Sequence, residues 1–199
     1  KYSDSFPMVF LDCKPNNYSV ETSVLSDNFD GSYKATECLI KKGHTRIGLI
    51  NGIKGETTRD ERFEGYKKAL EDYGIDLDNN ITLNGDYKTM SGYSLAKDIL
   101  ENSDATALFI TNNAMTIGAL RYIQESKITV PGELSVIGFD DSKWAELITP
   151  PLTVVRQQPF EMGTKAAKIL LNKIRKSDEI KRKQDEHRFP IELVVRKSC

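Results

Sequence analysis

The sequence is poor in the residue types on which several classes of protein depend. It has three cysteines, Cys13, Cys38 and Cys199, without a C-x-x-C pair, and only two histidines. This number and spacing fit neither a disulfide framework nor a zinc site. We therefore expect no metal and no cofactor, regard the cysteines as structural, and expect a reducing, cytoplasmic environment.

An excess of one charge and a long apolar run are lacking as well. Lysine and arginine total 28 against 29 acidic residues, a net charge of -1, which argues against a basic face that grips a phosphate backbone. No apolar run approaches the roughly 20 residues of a membrane span, and the sequence opens without a secretory signal. The chain has no internal repeat and no low-complexity tract. Its composition, 39% hydrophobic and 29% charged, is that of a globular domain.

Short apolar runs alternate with amphipathic segments along the chain. Runs typical of buried strands lie at 8–11, 23–26, 46–50, 107–111, 134–139, 152–155 and 191–195. Helical spacing of apolar residues predicts helices over 31–42, 58–73, 113–124 and 159–175. The segment 173–188, charged with both signs, is predicted to be a helix end followed by a solvated loop. This alternation predicts an α/β fold with parallel sheets flanked by helices.

Polar side chains follow the predicted strands at their carboxyl ends, the edge where open parallel sheets bind ligands. In chain order they are Asp12, Arg59 and Arg62 after 46–50, Tyr87 after the run 81–83, Asn112, the pair Asp140–Asp141, and Gln157. None is a Cys, His or Ser nucleophile. Carboxylates, an amide and a guanidinium match the hydroxyls of a polyhydroxylated ligand, whose C–H face packs on an aromatic ring.

Several of these residues have structural alternatives. An Asp or Asn after a strand often caps the next helix, and we assign that role to Asp141. Arg59 is either a ligand residue or a surface charge, since only Arg62 shares the inward side of its helix. Tyr87 suits the core as well as a ligand-stacking position. Trp144, the single tryptophan, is expected at the mouth of a cleft or in a subunit interface, with core packing as the third alternative.

Three stretches resemble the LacI/GalR family of bacterial transcription regulators. They are GHTRIGLINGIKGETTRDERFEGYKKAL (43–70), FITNNAMTIGALRYI (109–123) and VPGELSVIGFDDSKWAELITPPLTVVRQQPFEMGTKAA (130–167). The elements Gly-His, Arg-x-x-Gly-Tyr, Gly-Phe-Asp-Asp and Pro-Pro-Leu-Thr follow in family order at family spacing. Within the first stretch, we interpret His44 as part of a structural turn whose ring bonds the backbone.

The resemblance implies a fold like that of type I periplasmic binding proteins, with an effector in a cleft between two α/β subdomains. Residues 1–27 and 157–187 would form an incomplete N-terminal subdomain, and residues 28–156 and 188–199 the C-terminal one. The family's DNA-binding helix-turn-helix has no counterpart here, so a longer protein is expected. By position, the family's hydroxyl-binding residues correspond to Arg62, Asn112 and Asp140, and further cleft residues to Asp12, Tyr87 and Gln157.

These observations lead to the hypothesis of an effector-sensing, dimerising domain of a sugar-responsive repressor. A monosaccharide or sugar phosphate, with ribose the first candidate, would bind in the cleft and change the affinity for operator DNA, which another domain contacts. A solute receptor of a sugar transporter is the alternative. An enzyme is not expected: Asp12 and Asp140 form a conceivable glycosidase pair, but no acid of raised pKa is expected beside a nucleophile. Asp140→Ala and Arg62→Ala are expected to abolish the ligand response and to leave the ligand-free melting temperature nearly unchanged.

Overall fold

Strands and helices alternate through the structure, a computed structural model that describes residues 6–14, 22–175 and 185–199. In these ranges the strands are β1 Val9–Leu11, β2 Thr22–Ser26, β3 Ile47–Asn51, β4 Thr82–Asn84, β5 Ala107–Ile110, β6 Ser135–Phe139, β7 Thr153–Arg156, β8 Glu186–Phe189 and β9 Glu192–Val194. The helices are α1 Asn28–Lys41, α2 Thr57–Asp72, α3 Thr89–Asn102, α4 Asn113–Glu125 and α5 Pro159–Arg175, with a 3₁₀ turn at Lys143–Glu146.

The larger sheet has six strands in the order β4-β3-β5-β6-β7-β9, all parallel except β9, which runs antiparallel to β7. Helices α1 and α2 pack on one face, where they cover Leu49, Phe109 and Ile137. Helices α3 and α4 cover the other face, which includes Ile50 and Leu108. Successive residues of a strand point to opposite faces, so a strand covered on both sides needs a continuous apolar run.

The smaller sheet has three parallel strands in the order β1-β2-β8. Helix α5 packs on it through Met162 and Ala166, which form a small core with Val24. The chain passes from β2 into α1 of the larger layer within two residues, and from β7 of the larger sheet into α5 within three. The carboxyl ends of parallel strands from both sheets therefore lie near the crossings between the layers. The predicted α/β class is confirmed.

Two elements depart from the sequence-based expectation. Helix α3 was not predicted, and β8 lies at Glu186–Phe189, inside the segment predicted to be a solvated loop. Residues 176–184 of that segment lie outside the described residues. Strand β8 is short and carries charged residues because it pairs at the edge of the three-stranded sheet, where Arg188 and Glu186 remain partly accessible. None of the described helices is both long enough and apolar enough to cross a membrane.

Candidate functional site

Side chains from three strand ends are joined by direct hydrogen bonds. Gln157, after β7, donates from Nε2 to Oδ1 of Asp140, after β6, at 2.6 Å. Its Oε1 accepts from the hydroxyl of Ser26, the last residue of β2. Ser26 belongs to the smaller sheet and Asp140 follows the larger one. The amide of Gln157 therefore connects the carboxyl edges of both sheets.

Arg62 projects from α2 toward the same edge, as predicted, and is only 6% exposed. Its Nε donates to Oδ1 of Asn28 at 2.8 Å and its Nη1 to the carbonyl of Thr111 at 2.6 Å. The guanidinium carbon lies 3.7 Å from the centroid of the Phe139 ring, close enough for a cation–π contact. These contacts hold the guanidinium at the carboxyl ends of β5 and β6.

The charges of Asp12, Arg62 and Asp140 act on one another. Burial raises the pKa of Asp12; the positive charge of Arg62 opposes this rise and the negative charge of Asp140 adds to it. Burial lowers the pKa of Arg62, while Asp140 and Asp12 act to raise it. Asp12 is thus a carboxyl of raised pKa, a property that the sequence did not reveal. Asp12 as a whole residue is exposed, so its carboxyl is open to solvent beside the charges of Arg62 and Asp140.

The backbone is strained at three of the predicted site residues. Asp12 (φ 66°), Tyr87 (φ 64°) and Asp140 (φ 78°) all occupy the left-handed region, which side-chain-bearing residues seldom adopt. Among the described non-glycine residues only Lys127 shares this property. Strain of this kind persists where the surrounding structure determines the conformation, and it is concentrated at functional sites.

Tyr87 forms a wall of the site and also reaches the core. Its ring lies against the backbone of Gly52, where an added Cβ would meet ring atoms at 2.2 Å. Its hydroxyl donates to Oε2 of Glu56 at 2.6 Å. Burial and this hydrogen bond raise the pKa of Tyr87 to about 12, so the phenol keeps its proton at neutral pH. The ring also packs against the core under α3 and α4, which combines the two alternatives considered for it.

Arg59 is not the surface charge that one alternative proposed, since it is only 9% exposed. Its Nε and Nη2 both donate to Oδ1 of Asn84, at 3.0 and 2.6 Å, and its Nη1 donates to Asp60. Asn84 ends β4. Arg59 therefore reaches the sheet edge as well, and the expectation that only Arg62 does so is wrong.

Asn112 and Asp141 have different roles. Asn112 is the N-cap of α4, where its Oδ1 accepts from the backbone N–H of Met115 at 3.1 Å, while its Nδ2 has no protein partner among the described residues. Asp141 does not cap a helix, contrary to our assignment. It accepts hydrogen bonds from Arg156 at 2.6 and 2.8 Å and from Arg196 at 2.9 Å. Asp141 thus holds the end of β6 against the C-terminal segment.

Trp144 and His44 lie away from these residues. Trp144 packs on the core and lines an open groove of about 920 Å³ with Ile117 and Ile148, and no strand-end residue described above lines that groove. The ring of His44 bonds the hydroxyls of Thr106 and Ser135, both at 2.9 Å. It therefore links side chains, not the backbone as we expected, and burial lowers its pKa.

Three residues of the site were missed in the sequence: Ser26, Asn28 and Glu56. Applying the strand-end rule to 23–26 would have found Ser26. Asn28 is 1% exposed and binds Arg62 across 34 positions of sequence, a contact that no local pattern reveals. Within the described residues, no group of three or more His, Cys, Asp or Glu side chains is arranged to hold a metal ion.

Comparison with known proteins agrees with this architecture. The family model described as "periplasmic binding protein-like domain" matches residues 36–199. The chain belongs to this family. Over 196 residues the chain is 36% identical to the HTH-type transcriptional repressor PurR of Haemophilus influenzae (strain PittEE). The matched region covers 98% of this chain and 57% of that protein. It is 34% identical to the PurR repressor of Pasteurella multocida (strain Pm70), again over 98% of this chain and 57% of that protein.

Solved structures of regulators are similar in fold. A transcriptional regulator CelR–cellobiose complex has a TM-score of 0.89 at 31% identity, covering 96% of this chain and 58% of that one. A LacI family transcriptional regulator from Enterococcus faecium with bound ribose has a TM-score of 0.86 at 31% identity, covering 96% and 70%. The predicted resemblance to LacI-family regulators and the predicted fold are confirmed. The chain spans little more than half the length of the curated relatives it matches.

Proposed function

We propose that this chain is the effector-sensing domain of a sugar-responsive, cytoplasmic transcriptional repressor. The observation that carries the proposal is the convergence of four hydrogen-bonding side chains at the carboxyl ends of both sheets: Asp12, Arg62, Asp140 and Gln157. Asn112 directly follows Thr111, whose carbonyl Arg62 contacts. The similarity to HTH-type repressors supports this function over a transporter's solute receptor. Operator DNA would be bound by another part of the protein.

The geometry suits a ligand with several hydroxyl groups. The carboxylates of Asp12 and Asp140 accept from hydroxyls, while Asn112 Nδ2 and Arg62 donate to them. The ring of Tyr87 offers an apolar face to the sugar ring. Ribose is our first candidate, because a similar regulator contains it.

Sugar binding would be coupled to DNA binding through the arrangement of the two sheets. Asp12 follows the smaller sheet and Asp140 the larger, so a ligand held by both favours one angle between the layers. We propose subdomains at 1–27 with 157–187 and at 28–156 with 188–199. A change in their angle would alter the spacing of two DNA-binding domains and release the operator.

We further propose a homodimer that uses the groove beside Trp144. The groove is lined mainly by apolar side chains, and Ile117, one of these, is 41% exposed. Leu147, between Trp144 and Ile148 in sequence, is 78% exposed. Leu147→Glu should shift the mass measured by light scattering from dimer toward monomer, whereas Met90→Glu on α3 should not. A wild-type monomer at micromolar concentration would contradict the proposal.

A thermal-shift panel of sugars on the full-length protein tests the sensor function. A monosaccharide should raise the melting temperature of the wild type and change its affinity for operator DNA. Asp140→Asn, which keeps an acceptor for Gln157 and tolerates the left-handed backbone, should abolish that shift. Asp98→Asn on the exposed side of α3 is the matched control. A normal response in Asp140→Asn would refute the site.

The same incubation addresses the enzymatic alternative. Asp12, with its raised pKa, and Asp140 are a carboxyl pair, although a glycosidase also needs a defined separation and a scissile bond placed between them. We propose that the chain only binds its ligand. Disaccharides and nitrophenyl glycosides should be recovered unchanged after prolonged incubation with the full-length protein, and release of nitrophenol would contradict a pure sensor.

A further inference from the structure

Glu56 adds a third carboxylate to the candidate cleft. It is the residue before α2, at the N-cap position, but its side chain does not cap the helix. Its Oε2 instead accepts the proton of the Tyr87 hydroxyl at 2.6 Å, and the side chain is half-buried. Because that proton is directed at Glu56, Tyr87 presents only its ring and oxygen lone pairs to a ligand. Asp12, Asp140, Glu56 and Tyr87 are therefore all acceptors.

The arginines near these acceptors are engaged with protein groups. Arg59 uses Nε and Nη2 on Asn84 and Nη1 on Asp60. Arg62 uses Nε on Asn28 and one N–H of Nη1 on Thr111, so among the described contacts its remaining donors are the second N–H of Nη1 and the two of Nη2. Binding of phosphate in proteins relies on several convergent cationic or N–H donors. Lys54, in the loop before α2, is exposed, and a solvated charge of this kind contributes little.

From this distribution we propose that the cleft selects a neutral, unphosphorylated sugar, with Glu56 as the residue that rejects phosphate esters. The inference rests on the proposed function and narrows its ligand class. Hydroxyl groups donate to the surrounding acceptors, whereas a phosphate dianion would face three carboxylates. Glu56 lies at the hydroxyl end of the Tyr87 ring, on which the sugar would pack, and would there repel a phosphate carried on the sugar's exocyclic oxygen.

Calorimetric titration of the full-length protein with matched ligand pairs tests the proposal. The pairs are D-ribose with D-ribose 5-phosphate, D-glucose with D-glucose 6-phosphate, and D-fructose with D-fructose 6-phosphate. For the pair that binds, the neutral sugar should bind at least about tenfold more tightly than its ester, as expected for a like charge in a partly desolvated site. Glu56→Gln should reduce that ratio to about one third or less of its value.

The control is Glu71→Gln, a charge change in the last turn of the same helix, which should leave the ratio unchanged. Glu56 makes no cap hydrogen bond, and the amide oxygen of a glutamine can still accept from the Tyr87 hydroxyl, so Glu56→Gln should fold with a nearly unaltered melting temperature. Equal or tighter binding of the esters would overturn the selectivity and leave the sensor function intact. A ratio unchanged in Glu56→Gln would overturn the role of Glu56. Failure of every sugar and ester to bind would overturn the proposed function itself.

Discussion

Asp12 combines an unfavourable backbone conformation with an unfavourable charge. Its φ is 66°, and burial together with the charge of Asp140 raises its pKa despite the opposing charge of Arg62. A carboxyl whose pKa is higher in the folded than in the unfolded state favours folding most below its unfolded pKa. That contribution is lost as the pH rises through the folded pKa. At neutral pH the ionised Asp12 therefore costs stability, as expected of a residue retained for binding.

Asp12→Asn should consequently raise the ligand-free melting temperature at pH 7, because asparagine has no charge and tolerates the left-handed backbone. The increase should shrink as the pH falls through the folded pKa and should vanish below about 4, where Asp12 of the wild type is protonated in both states. Thermal unfolding at several pH values measures this, with Asp98→Asn as the control. A variant less stable than the wild type at pH 7 would contradict the electrostatic assignment. Sugar binding should be weakened in the same variant.

Arg62 is both a ligand candidate and a structural residue, which corrects our expectation that Arg62→Ala leaves stability unchanged. Truncation would leave Oδ1 of Asn28 and the carbonyl of Thr111, both buried, without this donor. We expect a loss of about 2–4 kcal/mol in the free energy of unfolding, measured by urea denaturation. Lys34→Ala, which removes an exposed i,i+4 ion pair with Asp30, should cost less than about 0.5 kcal/mol. Equal losses in the two variants would contradict this role of Arg62.

At the scale of elements, the pattern of apolar residues predicted the strands and helices whose residues are uniformly buried. Strands β3, β5 and β6 are buried on both faces and were visible as apolar runs. Helix α3 was missed because it buries little besides Gly92, Ala96 and Ile99, so its apolar stripe is narrow. Strand β8 was missed because an edge strand with exposed charged residues has the composition of a loop. Pairing with β2 decides its conformation, and pairing is not a local property.

The same distinction applies to the candidate site. Strand ends could be located from the sequence, and Asp140 with Gln157 do meet there. The mutual arrangement of helices and strands could not, so the contact of Arg62 with Asn28 and that of Glu56 with Tyr87 were not predicted. Asp141 shows the reverse error: a local rule suggested a cap, but Arg156 and Arg196 bind its carboxylate.

The crossing of α3 and α4 depends on Gly118. A Cβ added there would lie 1.8 Å from the carbonyl oxygen of Thr89, a backbone atom that cannot move without shifting α3. Gly118→Ala should therefore lower the free energy of unfolding by about 1–3 kcal/mol or more, measured by chemical denaturation. Gly163→Ala on α5, where an added Cβ meets nothing within 4 Å, should instead raise stability by up to about 1 kcal/mol. Similar effects of both changes would show that helix propensity, not packing, determines the free energy of unfolding of these variants.

At the scale of the whole molecule, a continuous set of contacts connects the candidate site to a junction between the two layers. Arg62 binds Oδ1 of Asn28, whose Nδ2 donates to Oε2 of Glu61 at 3.3 Å. Glu61, on α2 of the larger layer, accepts two hydrogen bonds from Arg188 of β8 in the smaller sheet, at 2.6 and 3.0 Å. Arg188 also binds Glu186, which pairs with Lys14. A ligand that engages Arg62 therefore acts on a group directly joined to this bridge.

Glu61→Gln should weaken this bridge without changing the groups proposed to contact the ligand. If the bridge helps to hold the layers at the binding angle, sugar affinity should fall about three- to tenfold while the order of preference among sugars stays the same. The bridge is partly exposed, and salt screens such ion pairs. Wild-type affinity should therefore decline between 50 and 500 mM salt more steeply than that of Glu61→Gln, in calorimetric titrations with Glu71→Gln as control. Identical affinities and salt dependences in the wild type and Glu61→Gln would show that the layers keep their angle without the bridge. The candidate site would then be coupled to the rest of the molecule through the sheets alone.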